Sequence, residues 1–548
     1  MYPKTLEEGF EVLLSRYGVS FEEIKQESKE LGIPVIEVIA KVRKIADYDQ
    51  IAKTWSEIYN IPYIERDRIL KNHEWYIEIV EEENESGIKV AYAIWHPKYY
   101  PELLNRGVNV YIAPYTLFKI KDVVESGIVG SFMEMVKSAQ KVGATDIHFE
   151  VRDYGIDVKF RLLGDLRNYK RIGLGDGLRL IKAIKTLASK WTANLDTEEW
   201  RERQDARIVI PEIGLDLRLA FTPSLKDGYQ NLVIRLLSKS SLRVKGLEDL
   251  IKLGYLEEDA NVLYSITKYE NGVNIIGGAT GSGKSRTINT LLALVDPKRK
   301  ILTVEDPVEY VLENAVQHQV MRVEKENGKV INMDYLEYLR AFMRQDPDVI
   351  LIGEWRKIPE LTEALLYASE TGHLVFTTLH SSRVVNTPNL LVNQYGLQKE
   401  DISNNVNILI NQKLVKRVCQ KCKRERVLTE DDIRKVSGIK YRDRDKFKQL
   451  IGKKVAVANP EGCSNCRVVD PLTGRFLSGG YEGRTVLYEY LVFDEDVMKT
   501  LLSTTSVLDI EKLLIEKVKE GKAKTFVDVA VSKVESGIVE FEEILRRL

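Results

Sequence analysis

Three regions with different spacing of apolar residues follow one another along the chain. The first, residues 1–126, contains short helical patterns such as FEEIKQESKELG and YDQIAKTWSEIY, followed by strand-like runs such as IKVAYAIW and VNVYIA. Apolar residues every three to four positions predict amphipathic helices, whereas strict alternation predicts half-buried strands. We therefore predict an N-terminal α+β domain over residues 1–126, in which no motif indicates chemistry.

The second region, residues 127–245, opens with one helical pattern, SFMEMVKSAQKVG, and continues with alternating segments. These segments are DIHFEVR, IDVKFRLL, ARIVIPEIGLDLRLAF and NLVIRLL. Short alternating runs bounded by turn residues predict strands, so we expect a small α+β domain. Its strands are unusually rich in arginine.

In the third region, residues 246–548, apolar strands alternate with helices. This order predicts an α/β domain with a largely parallel sheet. Its first strand, VNII, is followed by a glycine-rich loop and then by the helical pattern RTINTLLALV. A chain of 548 residues is too long for a single hydrophobic core, which agrees with a division into several domains.

The loop after VNII fits the pattern GxxxxGK[ST] without a mismatch. Its residues are Gly278, Gly281, Ser282, Gly283, Lys284 and Ser285, followed by Arg286. Glycines let such a loop curl until its backbone N–H groups point at phosphate oxygens. Lys284 then reaches the β and γ phosphates of ATP and the Ser285 hydroxyl reaches Mg²⁺. A purely structural glycine-rich turn is the alternative, but the flanking strand and helix favour nucleotide binding.

Three further segments carry candidate catalytic groups. The run DVILIGE resembles a buried strand that ends in a carboxylate, and Glu354 would act on Mg²⁺ and its water shell or polarise the attacking water. The segment TVEDPVEY places three carboxylates, including Glu309, around a proline. The segment TGHLVFTTLH contains His373 and His380, although histidines beside a strand are more often core or surface residues.

Four cysteines form two CxxC pairs, Cys419 with Cys422 and Cys463 with Cys466. Four thiolates at this spacing can surround Zn²⁺ tetrahedrally, and in a cytosolic protein such pairs indicate metal binding rather than disulfides. Four protein ligands leave no open position for a substrate, so we expect a structural Zn²⁺. Reduced free cysteines are the alternative.

Over about residues 127–548, these ordered motifs resemble those of the secretion ATPases that serve type II secretion and type IV pilus assembly. The resemblance implies a RecA-like P-loop NTPase core, preceded by a small PAS-like α+β domain. It also implies a tetracysteine zinc subdomain at about residues 415–490, inserted in the C-terminal domain. In that family Glu309 would help to position the lytic water, while His373 and His380 would relay the state of the γ-phosphate.

The arginines of the second region acquire a role through the same resemblance. The segments DIHFEV, RERQDAR and LDLRLAF are similar to segments from which family members bring arginines onto the γ-phosphate. Arg207 and Arg218 are the first candidates, followed by Arg161, Arg201 and Arg235. A guanidinium neutralises charge that develops during phosphoryl transfer. Alternatively, arginines on exposed strands simply keep sheet edges soluble.

The resemblance implies an ATP-hydrolysing homohexameric motor that acts on an inner-membrane platform protein of a pilus or secretion apparatus. No signal sequence and no apolar stretch of about 18 residues is evident, so we expect a cytoplasmic protein that joins the inner membrane through partners. With 81 basic and 82 acidic residues, the chain has a net charge of −1, and no direct contact with nucleic acid is expected.

Two other functions remain open from the sequence. A conjugative or type IV secretion ATPase shares the nucleotide motifs but generally lacks the tetracysteine, which favours extension or secretion. A DNA-binding protein regulated by ATP would need local basic surfaces, against which the near-neutral charge argues. Arginine- and glycine-bearing repeats of the kind that bind cyclic-di-GMP in some relatives are not evident in the first region.

Several motif positions depart from the family pattern. Ala206 stands in place of a glycine, Trp355 and Lys357 in place of isoleucine and aspartate, and Ser381-Ser382-Arg383 in place of Thr-Asn-Asp. None of these positions is a phosphate-contacting residue. We therefore expect ATPase activity in a divergent subfamily.

Overall fold

The structure is a computed structural model of the whole chain. It describes residues 121–548 apart from 193, 194, 239, 325–329, 440 and 473, and earlier in the chain the segments 6–31, 50–53, 69–72, 76–84, 87–94 and 110–112 with residues 39, 43 and 55. The chain divides into two compact units. One comprises residues 1–137 and 175–189, and the other comprises residues 138–174 and 190–548.

In the described N-terminal segments, helices precede a small sheet. They are α1 (Leu6–Ser15), α2 (Phe21–Leu31), β1 (Ile69–Asn72), β2 (Tyr76–Asn84), β3 (Gly87–Ile94) and β4 (Val110–Ile112). The strands pair in the order β1-β2-β3-β4. The Phe10 ring stacks on Phe21 and meets Trp55 edge-on, with centroids 6.2 Å and 5.4 Å away. The predicted helix YDQIAKTWSEIY is helical at 50–53 and 55, and its other positions lie outside the described residues.

The second region contains a six-stranded antiparallel sheet. Its elements in chain order are α3 (Lys121–Lys141), β5 (Asp146–Arg152), β6 (Gly155–Leu162), β7 (Asp165–Ile172), α4 (Leu174–Ala188), β8 (Gln204–Ile210), β9 (Leu215–Pro223) and β10 (Gln230–Ser238). The strand order is β7-β6-β5-β10-β9-β8. The alternating segments of the sequence form strands, as predicted, and ARIVIPEIGLDLRLAF contributes to two of them, β8 and β9. The pattern did not predict β7, whose sequence DLRNYKRI alternates among charged and polar residues with a single buried position, Tyr169.

The remaining strands belong to the third region, except for the two-residue strand β11 at the end of the second. They are β11 (Ser240–Ser241), β12 (Gly272–Gly277), β13 (Ile301–Glu305), β14 (Tyr310–Val311), β15 (Ala315–Gln319), β16 (Met321–Glu324), β17 (Val330–Met333), β18 (Val349–Ile352), β19 (Leu374–Leu379), β20 (Val406–Val418), β21 (Arg424–Val427), β22 (Lys454–Val457), β23 (Val468–Val469), β24 (Phe476–Ser478), β25 (Tyr481–Val492) and β26 (Ala523–Lys524).

The helices of the same region alternate with these strands. They are α5 (Glu248–Leu253), α6 (Glu257–Ser265), α7 (Lys284–Ala293), α8 (Tyr335–Phe342), α9 (Pro359–Glu370), α10 (Thr387–Tyr395), α11 (Lys399–Asn405), α12 (Glu430–Arg434), α13 (Glu495–Ser503), α14 (Val507–Lys519), α15 (Phe526–Glu535) and α16 (Phe541–Arg547).

An eight-stranded sheet organises this region, in the order β15-β13-β18-β19-β12-β20-β25-β26. The strands from β15 to β20 run parallel, and β25 and β26 are antiparallel additions at one side. Successive residues of β12 enter different cores, because Ile275 and Ile276 point to opposite faces of the sheet. Fully buried parallel strands with cores on both faces confirm the predicted α/β class.

The tetracysteine insertion leaves this sheet between its longest strands. It begins where β20 ends and returns at the start of β25, which pairs with β20 in antiparallel fashion. Two small antiparallel pairs of strands, β21 with β22 and β23 with β24, lie within it. Among the described residues, no helix combines the length and apolar character needed to cross a membrane.

Candidate functional site

Four parallel strands end at one edge of the sheet, and the chemical groups of the sequence motifs follow those ends. The glycine-rich loop follows β12, Glu305 closes β13, Glu354 lies just after β18 and His380 follows β19. The order β13-β18-β19-β12 places the histidine-bearing strand between the loop and the strand of Glu354. The four segments line one cleft of about 630 Å³. Such an edge is where parallel α/β sheets bind ligands.

Glycine is required at two positions of the loop. Gly278 has φ +148°, and a Cβ on it would approach the backbone oxygen of Gln412 to 2.6 Å. Gly283 has φ +89° and immediately precedes α7, so the loop turns directly into a helix N-terminus. The Gln412 side chain donates from Nε2 to the Ser282 carbonyl at 2.8 Å. The backbone is thereby held close to β20, with the helix end available to an anion.

Lys284 hydrogen-bonds to the loop itself. Its Nζ donates to the carbonyl oxygens of Gly278 and Ala279 at 2.7 Å and 3.1 Å. Burial lowers the pKa of Lys284, while the negative charges of Glu354 and Glu309 act in the opposite direction. The ammonium is thus partly removed from water and can exchange carbonyl oxygens for phosphate oxygens.

Glu354 lies between the guanidinium of Arg356 and the imidazole of His380. Its Oε2 accepts a hydrogen bond from Nε of Arg356 at 2.9 Å, and its Oε1 lies 3.3 Å from Nε2 of His380. Burial alone would lower the pKa of Arg356, but the hydrogen bond and charge of Glu354 raise it overall. A carboxylate oriented in this way is a suitable acceptor for a proton from a metal-bound or attacking water.

The segment TVEDPVEY contributes all three of its carboxylates to the cleft lining. Glu305 is 5% exposed, and its Oε1 accepts hydrogen bonds from Thr303 Oγ1 at 3.0 Å and from Gln317 Nε2 at 3.1 Å. Burial raises the pKa of Glu305. Asp306 and Glu309 follow it at the rim.

Four arginines and one aspartate form a cross-strand row on the second-region sheet. In register across β8, β9, β10, β5 and β6 lie Arg207, Arg218, Arg235, Asp146 and Arg161. Directly opposed residues of neighbouring strands share one face, and like charges so placed repel each other. Asp146 offsets this repulsion from within the row, because its carboxylate lies 3.2 Å from Arg235 Nε and 3.7 Å from Arg161 Nε.

The structure separates the candidate arginines by position. Arg235 lines the cleft directly. Arg218 donates from Nη2 to Asp306 Oδ1 at 2.7 Å, at the rim of the same cleft. Arg207 instead donates from Nε to both oxygens of Asp216, at 2.8 Å and 3.0 Å. Arg201 lies over the Trp200 ring in an exposed segment, with its guanidinium carbon 4.9 Å from the ring centroid, and is not brought to the cleft.

The two histidines occupy opposite ends of β19. His380 follows the strand and lines the cleft, whereas His373 precedes it. The Nδ1 of His373 is 2.9 Å from the Ala368 carbonyl and 3.2 Å from Thr371 Oγ1. His373 therefore belongs to the opposite edge of the sheet, and the structure does not bring it to the other candidates.

The four cysteine sulfurs converge. All lie within 4.8 Å of one another, and the Cys422–Cys466, Cys419–Cys463 and Cys463–Cys466 sulfurs are 3.6, 3.9 and 3.9 Å apart. Zinc–sulfur bonds of about 2.3 Å in a tetrahedron require sulfurs about 3.8 Å apart. The donor set and its spacing therefore fit Zn²⁺. The Gly480 N–H also points at the Cys466 sulfur, at 3.3 Å, as expected for a thiolate ligand.

A family model described as "Type II/IV secretion system protein" matches residues 123–546. The chain belongs to this family. It is 31% identical over 425 residues to the "Type II secretion system protein E" of Aeromonas hydrophila, a match that covers 77% of this chain and 76% of that protein. It is 30% identical over 429 residues to the "Type IV pilus assembly ATPase PilB" of Pseudomonas aeruginosa, covering 77% and 68%.

Solved structures agree on the fold of this secretion ATPase. The Legionella pneumophila ATPase DotB matches with a TM-score of 0.50 at 22% identity, covering 76% of this chain and 94% of that one. The Yersinia pseudotuberculosis DotB matches with a TM-score of 0.50 at 18% identity, covering 76% and 93%. The RecA-like core predicted from the sequence is thereby confirmed, and the chain is an ATPase of the secretion family.

Two residues that hold Glu354 at the cleft of this secretion ATPase were not predicted from the sequence. Arg356 keeps the family pattern between two positions that depart from it, Trp355 and Lys357, and no role was expected for it. Its neighbour Trp355 is 1% exposed, donates from Nε1 to Thr362 Oγ1 at 3.0 Å, and accepts a hydrogen bond from Tyr395 at its carbonyl. Trp355 thus fixes the backbone between Glu354 and Arg356. The basic residue two positions after Glu354 was the available signal.

The substitution Glu305→Gln should raise the thermal unfolding midpoint of the secretion ATPase at about pH 8. The amide oxygen still accepts from Thr303 and Gln317, while a buried charge is removed. Because burial raises the pKa of Glu305, its destabilising effect begins as pH rises above the ordinary glutamate pKa of about 4.3. Below that pH the carboxyl is protonated in both folded and unfolded chains, and the difference should vanish.

Scanning fluorimetry at about pH 4 and about pH 8 measures this difference. Glu313→Gln is the matched control, because the Glu313 side chain is 80% exposed in the same segment. A lower midpoint for Glu305→Gln at the higher pH would show that the Glu305 carboxylate stabilises the folded protein, contrary to this prediction.

Proposed function

We propose that this secretion ATPase hydrolyses MgATP in the cleft described above and uses the arginine-bearing sheet to convert the state of the γ-phosphate into movement. The observation that carries the proposal is the lining of one cleft by Lys284, Glu354 and Arg235. Phosphate binding, water activation and charge neutralisation each have a candidate group there.

Phosphate binding would fall to the loop and the start of α7. Its backbone N–H groups and the helix end favour the β-phosphate, and Lys284 releases its two carbonyl oxygens to meet the β and γ phosphates. The Ser285 hydroxyl is the protein ligand for Mg²⁺. When bound, Mg²⁺ neutralises charge on the phosphate oxygens.

Hydrolysis requires a water in line with the γ-phosphate and an acceptor for its proton. Glu354 is the proposed acceptor, because Arg356 contacts one of its carboxylate oxygens and His380 the other, which fixes the orientation of the carboxylate. Glu309 lies at the rim of the same cleft, where it would help to position the water. A carboxylate is effective here only if it is oriented, and the contacts of Glu354 with Arg356 and His380 fix its orientation.

Arg218 and Arg235 are the proposed sensors of the γ-phosphate. A guanidinium neutralises the equatorial oxygens of the transferring phosphoryl group. Arg218 is bound to Asp306 in this structure and would exchange that carboxylate for phosphate. Because these arginines lie on the second-region sheet, ATP would draw that sheet toward the loop, and hydrolysis would release it.

The mechanical partner is proposed from the relatives. Similar proteins are named for type II secretion and for type IV pilus assembly. We infer that six copies of the chain form a ring and that its movement acts on an inner-membrane platform protein of such an apparatus. The tetracysteine favours an extension or secretion motor.

We further infer that Cys419, Cys422, Cys463 and Cys466 hold a structural Zn²⁺. The ion would join the end of β20 to the segment before β25 and close the insertion as a unit. Structural zinc sites contribute directly to folding stability. No step of ATP hydrolysis passes through this site.

The substitution Arg235→Gln should lower kcat for ATP by about a hundredfold or more, because a guanidinium on the γ-phosphate is removed. Phosphate release, measured with saturating MgATP, checks this effect. Lys284→Ala provides the inactive reference, since it removes the ammonium that binds the phosphates.

Arg203→Gln is the matched control, because its side chain is 74% exposed and pairs with Asp205 on the same sheet. Equal turnover in Arg235→Gln and the wild type would exclude Arg235 from the site. Undiminished turnover in Lys284→Ala would mean that the phosphate loop is misassigned.

The substitution Glu354→Gln should trap the enzyme with ATP bound and retain its membrane partner. The amide binds in the same place but cannot accept the proton. Affinity purification with ATP from membranes of the native host, followed by mass spectrometry, should recover a polytopic platform protein, with Lys284→Ala as the control that fails to bind nucleotide. Recovery of DNA alone would overturn the motor function.

The substitution Cys463→Ser should abolish bound zinc, which we expect at about one ion per chain in the purified protein. It should also lower the thermal unfolding midpoint, because the insertion loses its central ligand. Elemental analysis by mass spectrometry measures the metal. Ser464→Ala, in the same turn, should retain zinc. If the purified wild type contains no zinc and Cys463→Ser has the same unfolding midpoint as the wild type, the proposal is contradicted.

A further inference from the structure

Arg383, three residues after His380, lies between two buried carboxylates. Its Nη1 donates to Glu511 Oε1 at 2.6 Å and its Nη2 to Glu489 Oε2 at 3.3 Å. The side chain of Arg383 is 13% exposed, while those of Glu489 and Glu511 are 0% and 8% exposed. A planar guanidinium can span two acceptors that a lysine ammonium cannot reach at once.

The charges around Arg383 balance within a small volume. Arg442 approaches Glu511 from the other side, with Nε 3.2 Å from Oε2. Burial raises the pKa of Glu489, and the charge of Arg383 opposes that shift. The charge of Lys413 also acts on Glu489. Two buried carboxylates are therefore offset by two guanidinium groups and this ammonium, and removal of Arg383 would deprive both carboxylates of the cation that contacts them both.

The loop that carries Arg383 is held by its backbone as well. The Val384 N–H donates to Glu489 Oε1 at 2.7 Å, and Asn411 Nδ2 donates to the Ser381 carbonyl at 2.8 Å. Asn411 and Glu489 are direct partners across β20 and β25. The loop is thus fixed to one cross-strand pair, and Arg383 supplies the positive charge on which that attachment depends.

One end of this network reaches the ATP cleft. His380 directly precedes Ser381, and its Nε2 lies 3.3 Å from Glu354 Oε1. A shift of the loop after β19 would therefore move the imidazole relative to the carboxylate. Misplacement of a catalytic group by about 1 Å can lower a rate by about a hundredfold.

The other end reaches the insertion between the cysteine pairs. The guanidinium carbon of Arg383 lies 4.2 Å from the centroid of the Tyr441 ring, and Tyr441 is 5% exposed. Its neighbour in sequence is Arg442, which binds Glu511. A cation over an aromatic face in a desolvated site is an attractive contact. Tyr441 thus contacts Arg383, and Arg442 contacts Glu511, the carboxylate that Arg383 binds. Two successive residues of the insertion therefore touch the ion-pair network that holds the His380 loop.

We propose that Arg383 is a positioning residue that holds the His380 loop against Glu489 and Glu511, and that Tyr441 and Arg442 make this position depend on the insertion. The proposal rests on the function proposed above for Glu354. It assigns to the insertion an influence on ATP turnover, transmitted through contacts within one chain.

The first test compares Arg383→Lys and Arg383→Met with the wild type. Arg383→Lys retains one positive charge and protects folding, but it cannot span both carboxylates. We expect kcat to fall about tenfold or more in both variants, with KM for MgATP changed by less than about twofold, because His380 is displaced while the phosphate loop is untouched. Wild-type kcat in Arg383→Lys, or an effect on KM alone, would overturn the proposal.

The second test starts from the insertion. Arg442→Gln should lower kcat several-fold, although Arg442 does not line the ATP cleft. Arg434→Gln is the matched control, because that insertion arginine is 77% exposed and pairs with Asp431. In a double-mutant cycle, the effect of Arg442→Gln should disappear in the Arg383→Met background. Independent, multiplicative effects would show that the insertion does not act through Arg383.

The two proposals fail in different ways. If the wild type releases no phosphate, or if Lys284→Ala is as active as the wild type, the proposed site itself is wrong. If Lys284→Ala is inactive and the wild type active, but Arg383→Lys and Arg442→Gln keep wild-type kcat, only the positioning role is refuted.

Discussion

Parallel pairing of β12, β19, β18 and β13 is the constraint on which the site depends. Hydrogen bonding in register brings the carboxyl ends of these strands to one edge, so residues far apart in sequence meet there without long connections. The strands are fully buried between two cores, so a one-residue slip would move each side chain from its own core into the opposite one, where it does not fit. Packing of the two cores therefore fixes the position of Glu354 and His380 relative to the phosphate loop.

Charge is concentrated at this edge in a balanced form. The arginine row would be unfavourable alone, but Asp146, Asp216 and Asp306 each accept from one or more of its members. The Arg383 network repeats this arrangement deeper in the protein. In the row a carboxylate, Asp146, is shared by arginines of neighbouring strands, whereas in the Arg383 network one arginine is shared by carboxylates of β25 and α14. The Arg218–Asp306 and Arg383 ion pairs join elements that do not pair through their backbones.

The sequence predicted those parts of the molecule that local patterns encode. The phosphate loop, the strand before Glu354 and each CxxC pair follow from residues close together in the chain. The two pairs, which are far apart in sequence, were expected to meet only because four thiolates complete one Zn²⁺ site. The alignment of Arg218 and Arg235 in one row could not be predicted, because it arises from strand register. Strand β7 was missed because its sequence mixes charged and polar residues with a single buried position, Tyr169. The distant location of His373 became evident only once the bounds of β19 were known.

The contact between Arg218 and Asp306 has a consequence for the end of the reaction cycle. In the function proposed for Arg218, the Asp306 carboxylate is an internal competitor of the γ-phosphate for the same guanidinium. ATP binding would displace this carboxylate, which would reduce the net affinity for ATP. After phosphate release, the carboxylate would bind the arginine again and disfavour rebinding of the product. A single acidic side chain would thereby weaken every state in which the arginine holds phosphate, so it would speed product release while lowering the affinity for ATP.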